Sequence, residues 1–155
     1  MAKTNQARAK APSAALPAEA EPVKRRARKT VARTPRLPKA VAGAVRAAQD
    51  KKASDVVVLD LRKAGGFTDY FVICTGNNTR QITAIADAVR GTLKTEYDER
   101  PTLAEGVEKS EWILLDYFNF VVHIFSRECR AFYGLERLWG NAEHITIDDT
   151  PPALS

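Results

Sequence analysis

The sequence predicts a single α/β domain built on a mixed sheet. Short β-branched apolar runs alternate with stretches of helical spacing, and 45% of the 155 residues are hydrophobic, which supplies one core. No apolar run approaches the roughly 18 residues of a membrane span. The two cysteines are too few for a disulfide scaffold. A transmembrane protein and a disulfide-rich secreted protein are therefore excluded, and we expect a reducing, cytoplasmic compartment with no membrane partner.

The formal charge of +5 is unevenly distributed along the chain. Residues 1–37 carry ten basic and two acidic side chains (net +8), whereas residues 38–155 carry 14 basic and 17 acidic ones (net −3). The first segment is rich in Ala and Pro, so we expect a disordered arm. Its basic cluster, residues 24–29, is typical of non-specific contact with RNA phosphates and equally of a solubilising tail. We thus expect an arm (1–37), one domain (38–147) and a C-terminal tail (148–155).

The first half of the predicted domain alternates helices and strands. A helix begins after Pro38, and apolar runs predict buried strands at 55–61 and 68–74. Turn and N-cap residues at 76–79 open a second helix, which ends near Tyr97 because Pro101 cannot continue it. The apolar stripes of the two helices contain Val41, Ala44, Val45 and Ala48, and Ile82, Ile85, Ala86, Val89 and Leu93, respectively.

The second half contains a hairpin between a weak strand and a helix. The weak strand is 102–109, interrupted by Gly106, and a single helix is expected over 128–139. Two apolar runs, 112–115 and 120–125, flank a turn at Phe118 and Asn119, which places Trp112 opposite Phe125. In that register one face of the hairpin carries Trp112, Leu114, Asp116, Val121, His123 and Phe125.

Patterns of catalysis and metal binding are missing from the sequence. The cysteines and histidines lack zinc-ligand spacing, the aspartates at 55, 60, 69 and 116 lack paired spacing, and there is no Gly-x-Ser-x-Gly or phosphate-binding loop. The amides of the turn at 76–79 could hold an anion, but starting the helix is the favoured interpretation. We therefore predict no catalytic, cofactor or metal site, and an inert Cys74 in the second strand.

His123 lies in an apolar strand and is interpreted as a scaffold or binding element. In the predicted register it lies diagonally across from Asp116. Pairing with that carboxylate would fix the imidazole tautomer and raise the pKa of His123.

Aromatic residues are unusually dense near the hairpin. About half of them are needed for a core, and Phe118 occupies a turn that should face solvent. Aromatic anchors dominate protein interfaces, so the excess favours a protein-binding module over an enzyme. The aromatic residues concerned are Trp112, Tyr117, Phe118, Phe120, Phe125, Phe132, Tyr133 and Trp139.

Several motifs resemble the Iojap-like ribosomal silencing factor family, in one order from about Val41 to His144. They are Phe-Thr-Asp-Tyr-Phe-Val-Ile-Cys-Thr-Gly-Asn at 67–77, Trp-Ile-Leu-Leu-Asp-Tyr at 112–117, Val-Val-His-Ile-Phe at 121–125 and Arg-x-Phe-Tyr-x-Leu-Glu-Arg-Leu-Trp at 130–139. The chain departs from the family pattern at Phe118 and Asn119, since the family commonly has Asp just before the second hairpin strand. The arm and the last ten residues lie outside the resemblance.

The resemblance implies a five-stranded mixed sheet related to nucleotidyltransferases but without their catalytic signature. It also implies a non-enzyme, often homodimeric, that binds protein fourteen of the large ribosomal subunit. Such binding would sterically block joining of the small subunit and repress translation when nutrients are short. Carried over by position, the partner-binding residues are Trp112, Asp116, Tyr117, His123, Phe132, Tyr133, Glu136 and Trp139.

Two alternatives remain open at the level of sequence. A nucleotide-handling enzyme would use the turn at 76–79 and the scattered aspartates. A general RNA-binding protein would act through the basic arm.

Overall fold

The computed structural model describes residues 37–147, which form a mixed six-stranded sheet with helices on both faces. The predicted tail and all of the predicted arm except its last residue lie outside that range. No helix among the described residues is long and apolar enough to cross a membrane. In chain order the elements are α1 (Lys39–Asp50), β1 (Ser54–Asp60), β2 (Tyr70–Gly76), α2 (Thr79–Tyr97), β3 (Leu103–Glu105), β4 (Trp112–Asp116), β5 (Phe120–Ser126), α3 (Arg127–Tyr133), α4 (Leu135–Leu138) and β6 (Glu143–Thr146).

The strands lie in the order β3-β4-β5-β2-β1-β6. β2 and β5 run parallel, and every other neighbouring pair is antiparallel, so the predicted mixed sheet is confirmed. The expected strand number of five is wrong, because β6 adds a sixth strand along β1, with Ile145 opposite Val58. Only Ile145 is buried in this four-residue strand, and a single apolar residue does not produce an alternating pattern.

The predicted hairpin register is confirmed. Trp112 lies opposite Phe125, and Leu115 lies opposite Val122. The turn is closed by the Tyr117 amide, which donates to the Phe120 carbonyl at 2.8 Å. Phe118 has a φ of 77° and is 76% exposed, so the predicted solvent-facing position is also confirmed.

The predicted helix over 128–139 is instead two short helices. Gly134 adopts the left-handed conformation (φ 56°) and its amide caps α3 by donating to the Arg130 carbonyl. A residue without a Cβ adopts this conformation at little cost, so the chain changes direction there and starts α4.

The two faces of the sheet are covered unequally. The long helices α1 and α2 pack over one face, whose core includes Val72, Ile85, Leu93 and Ile113. The other face is covered by residues from the short α3 and α4 region and the segment after it, including Leu135, Trp139 and Ala142. Since short helices cover little area, part of this second face stays accessible to solvent.

Candidate protein-binding surface

The accessible part of the second face lies along β4 and β3. Burial alternates along β4, so Trp112, Leu114 and Asp116 are partly exposed while Ile113 and Leu115 are buried on the helix side. Leu103 of β3 lies opposite Asp116 and is 46% exposed. Because paired residues of neighbouring strands point to the same face, Leu103 extends this accessible strip. Glu105, opposite Leu114, extends it in the same way.

The end of α3 adds two aromatic rings to the strip. Tyr133 lies over Trp112, with ring centroids 4.5 Å apart, and Phe132 contacts Tyr133 edge to face at 5.0 Å. Phe132 is 78% exposed and Tyr133 is 48% exposed. The seven residues that share this strip are called the β3–β4 surface below: Leu103, Glu105, Trp112, Leu114, Asp116, Phe132 and Tyr133.

The β3–β4 surface is both apolar and acidic. Its two ionisable carboxyl groups are Glu105 and Asp116, and none of its seven residues is basic. Asp116 also orders the hairpin turn, because its Oδ1 accepts the Phe118 amide proton at 2.8 Å. A strip that carries both aromatic rings and acidic groups complements a basic protein surface.

Glu136, another of the predicted partner-binding residues, is already paired within the chain. Its carboxylate accepts two hydrogen bonds from Arg130, at 3.1 Å from Nε and 2.6 Å from Nη2. Arg130 Nη1 also donates to the Asp55 carbonyl and to Thr75 Oγ1, at 2.7 and 2.8 Å. The arginine therefore holds the α3–α4 corner against β1 and β2, and Glu136 serves this clamp.

His123 lies beneath Trp112 and does not pair with Asp116 as expected. Its Nδ1 accepts the indole Nε1 proton of Trp112 at 3.1 Å. The side chain is surrounded by rings, with the Phe71 centroid at 4.5 Å, and is 3% exposed. Burial lowers the pKa of His123 to about 3, so the expected increase of its pKa is wrong.

Three of the predicted partner-binding residues are buried. His123, Tyr117 and Trp139 are 3%, 3% and 6% exposed. Tyr117 lies on the opposite face, in the core beneath the long helices, where its ring stacks on Phe120 at 5.0 Å. Burial raises the pKa of Tyr117 to about 12. Trp139 packs edge to face on Phe71 at 6.2 Å. The structure therefore leaves Trp112, Asp116, Phe132 and Tyr133 as the members of the predicted set that are accessible and form no salt bridge with another described residue.

Sequence patterns did not predict three residues of the β3–β4 surface as partner-binding: Leu103, Glu105 and Leu114. Leu114 shared the predicted hairpin face, and its partial exposure follows from the incomplete cover of that face. Leu103 and Glu105 could not be assigned to a face, because the pairing of the three-residue β3 with β4 was not predictable from its pattern.

The turn before α2 has the favoured capping role. The Asn78 side chain accepts the Gln81 amide at 2.8 Å, and Gln81 Oε1 accepts the Asn77 amide at 2.6 Å. Arg127 Nη2 donates to Asn77 Oδ1 at 3.3 Å. The Asn77 and Gln81 amides, which could otherwise bind an anion, thus already have acceptors within the chain.

The buried thiol and the carboxylates form no reactive cluster in the described part of the chain. Cys74 is fully buried, and burial raises the pKa of its thiol to about 12, which keeps it protonated. No group of three or more His, Cys, Asp or Glu side chains within residues 37–147 is arranged to hold a metal ion.

Comparison with known proteins identifies the family. The family described as "Ribosomal silencing factor during starvation" matches residues 34–154. The chain belongs to this ribosomal silencing factor family. The expected resemblance is therefore confirmed. Ribosomal silencing factor RsfS of Halalkalibacterium halodurans is 39% identical over 105 residues, which cover 68% of this chain and 89% of the relative.

Two further relatives extend the comparison. A crystal structure of a protein from Chromobacterium violaceum superposes with a TM-score of 0.63 at 33% identity, covering 66% of this chain and 84% of the other. The mouse protein named "Mitochondrial assembly of ribosomal large subunit protein 1" is 31% identical over 94 residues, covering 59% of this chain and 41% of the mouse protein. The relatives from Halalkalibacterium halodurans and Bacillus subtilis are named as ribosomal silencing factors, and the mouse relative is named for assembly of the large ribosomal subunit.

Proposed function

We propose that this ribosomal silencing factor represses translation by binding protein fourteen of the large ribosomal subunit through the β3–β4 surface. A protein bound there would sterically block joining of the small subunit, a mode of repression suited to nutrient limitation. Family membership supports a ribosome-associated role in translation. The name of the mouse relative supports the large subunit as the binding partner.

The observation that carries this proposal is the exposure of the aromatic pair beside Trp112. Phe132 and Tyr133 are 78% and 48% exposed, and no residue of α3 is buried. Exposed aromatic side chains on the same strip as two carboxylates supply anchors and charge complementarity for a basic ribosomal protein. The proposed repressor acts in the cytoplasm and uses neither catalysis nor a cofactor.

A sedimentation assay tests the proposal directly. The purified chain is expected to co-sediment with large subunits and to lower the yield of joined ribosomes when small subunits are added. Saturating binding without any effect on joining would contradict the steric mechanism. Absence of binding to large subunits would contradict the assignment of the partner.

Single substitutions test the location of the surface. Phe132→Ala and Tyr133→Ala should each weaken binding to large subunits by about 1 to 3 kcal/mol, because truncation of an anchor removes desolvated contact area. Phe67→Ala is the matched control, since Phe67 is 72% exposed and lies beside the hairpin turn. That turn lies at the other end of β5 from Phe125, the residue opposite Trp112. The rise per residue of an extended strand makes this separation about 17 Å. Equal losses for Phe67 and Phe132 would contradict this location.

The basic arm is proposed to strengthen attachment to ribosomal RNA without providing specificity. Deletion of residues 1–37 should mainly reduce the salt dependence of binding, because fewer counterions are then released. Complete loss of binding would instead favour a general RNA-binding protein that acts through the arm. Dimerisation, implied by the resemblance, stays a prediction that analytical ultracentrifugation of the full chain checks.

The hydrogen bonds before α2 weigh against the nucleotide-handling alternative. The Asn77 and Gln81 amides are occupied by side chains, and Arg127 spans the crevice between β2 and β5 at their carboxyl ends. In open α/β sheets a ligand binds in such a crevice. Thermal stabilisation of the chain by a nucleotide would instead favour a nucleotide-handling enzyme.

A further inference from the structure

His123 occupies a position where an apolar side chain would be less costly. It is 3% exposed on the central strand β5 and is enclosed by the rings of Phe71, Trp112 and Phe125, with centroids 4.5, 5.9 and 5.9 Å away. Nδ1 accepts a hydrogen bond, so the proton of the neutral ring is on Nε2. That buried nitrogen has no hydrogen-bond partner among the described residues. An unpaired buried N–H group costs free energy that leucine would not incur.

The compensating interaction involves Trp112. An indole has one polar atom, and in Trp112 this Nε1 donates to His123 Nδ1 at 3.1 Å. The same indole stacks on Phe125 at 5.0 Å and contacts Tyr133 at 4.5 Å. Ring contacts of this kind are less directional than a hydrogen bond, so they do not by themselves fix the orientation of the indole. The directional hydrogen bond removes that freedom.

A fixed indole matters because Trp112 joins the strand to the exposed aromatic pair. Trp112 is partly exposed and supports Tyr133, which in turn contacts Phe132. A side chain that is already ordered in the free protein loses less conformational entropy when a partner binds. Positions that break a local packing rule are typical of function rather than of stability.

We propose that His123 is a positioning residue that orients the Trp112 indole, and through it the Tyr133 ring, for binding of the partner. This inference rests on the proposed function of the β3–β4 surface. His123 does not touch the partner, and the acceptor at Nδ1 is the group that matters.

Two substitutions separate orientation from packing. His123→Leu removes the acceptor and the unpaired N–H group while filling a similar volume. His123→Asn retains an acceptor, since Asn Oδ1 lies close to the position of Nδ1 in histidine. His123→Met is a second acceptor-free variant if His123→Leu does not fold. Melting curves of the full chain accompany each variant.

The first readout is the indole N–H signal in a nitrogen-15 NMR spectrum. The chain has two tryptophans, and Trp139→Phe assigns the signals. In His123→Leu or His123→Met, hydrogen exchange of the Trp112 Nε1 proton should accelerate about tenfold or more, whereas His123→Asn should retain the protection. Unchanged exchange in the acceptor-free variants would overturn the inference.

The second readout is affinity for purified large subunits. His123→Leu should weaken binding about 3- to 10-fold, which corresponds to the ordering of one large side chain, and His123→Asn should recover most of that loss. Equal affinity of the wild-type chain and the acceptor-free variants would overturn the inference while leaving the proposed function intact. If the wild-type chain does not bind, the proposed function fails, and the exchange measurement still decides whether His123 orients Trp112.

Discussion

The family resemblance places Tyr117 on the partner-binding surface, whereas the structure places it in the core. Substitutions of Tyr117 distinguish these two roles. The ring is buried beneath the long helices and stacks on Phe120, and its hydroxyl oxygen has no hydrogen-bond partner among the described residues. Tyr117→Phe removes only that hydroxyl, whereas Tyr117→Ala removes the ring. The structure therefore predicts opposite consequences for the two variants.

The magnitudes follow from these contacts. A buried polar group without a partner costs about 1 to 3 kcal/mol, part of which Tyr117→Phe recovers, so this variant should be unchanged or more stable by up to about 1 kcal/mol. Loss of a buried aromatic ring costs about 3 to 5 kcal/mol, so Tyr117→Ala should lower the free energy of unfolding by that amount. For a domain of this size the melting temperature should fall by about 10 °C or more.

Thermal and urea denaturation of the full chain measure stability, and co-sedimentation with large subunits measures binding. Tyr117→Phe should bind as tightly as the wild-type chain, and any loss in Tyr117→Ala should follow the unfolded fraction. The reasoning is refuted if Tyr117→Phe is fully folded but binds weakly. It is equally refuted if Tyr117→Ala keeps its stability and loses binding, since Tyr117 would then contact the partner.

Three further predictions concern the scaffold of the surface and can all be checked by urea denaturation. Gly106→Ala should destabilise the chain by about 2 kcal/mol more than the control Gly65→Ala. Both glycines have positive φ (82° and 81°), but a Cβ at Gly106 would clash with the Trp112 carbonyl oxygen, whereas a Cβ at Gly65 would lie in open space. Equal effects of the two substitutions would contradict this. Arg130→Ala should cost about 2 to 4 kcal/mol through loss of the clamp, and a neutral result would show that the α3–α4 corner holds without it. Folding lowers the pKa of His123 from 6.5 to about 3, so below pH 6.5 the unfolded chain binds a proton that the folded chain does not. The stability of the wild-type chain relative to His123→Leu should therefore fall by about 1 kcal/mol per pH unit as the pH decreases below 6.5. A pH-independent difference would contradict the burial of a neutral imidazole.

Much of the local structure was predictable from residue patterns. Trp112 lies opposite Phe125 because two apolar runs and a two-residue turn permit few registers that keep one side of each strand apolar. The start of α2 followed from Asn78, whose side chain caps the helix as its position predicted. These features depend on neighbours within a few residues or across one turn.

Contacts between distant segments were less predictable. The Arg130–Glu136 clamp reaches Asp55 and Thr75, which are 75 and 55 positions away in sequence from Arg130. No spacing rule relates these positions. The break at Gly134 was missed for a related reason, since the apolar residues on either side of it fit one helical stripe.

The amino-acid sequence by itself determined the alternation of the hairpin, and with it the fact that Trp112 and Tyr117 point to opposite faces. It also determined the family and the excess of aromatic residues. Only the tertiary structure decided which face receives the long helices and which is left partly open, and therefore that Tyr117 is core while Trp112 and Tyr133 are accessible. The physical reason is that side-chain alternation is a local property of a strand, whereas the cover over each face depends on how helices distant in sequence pack against it.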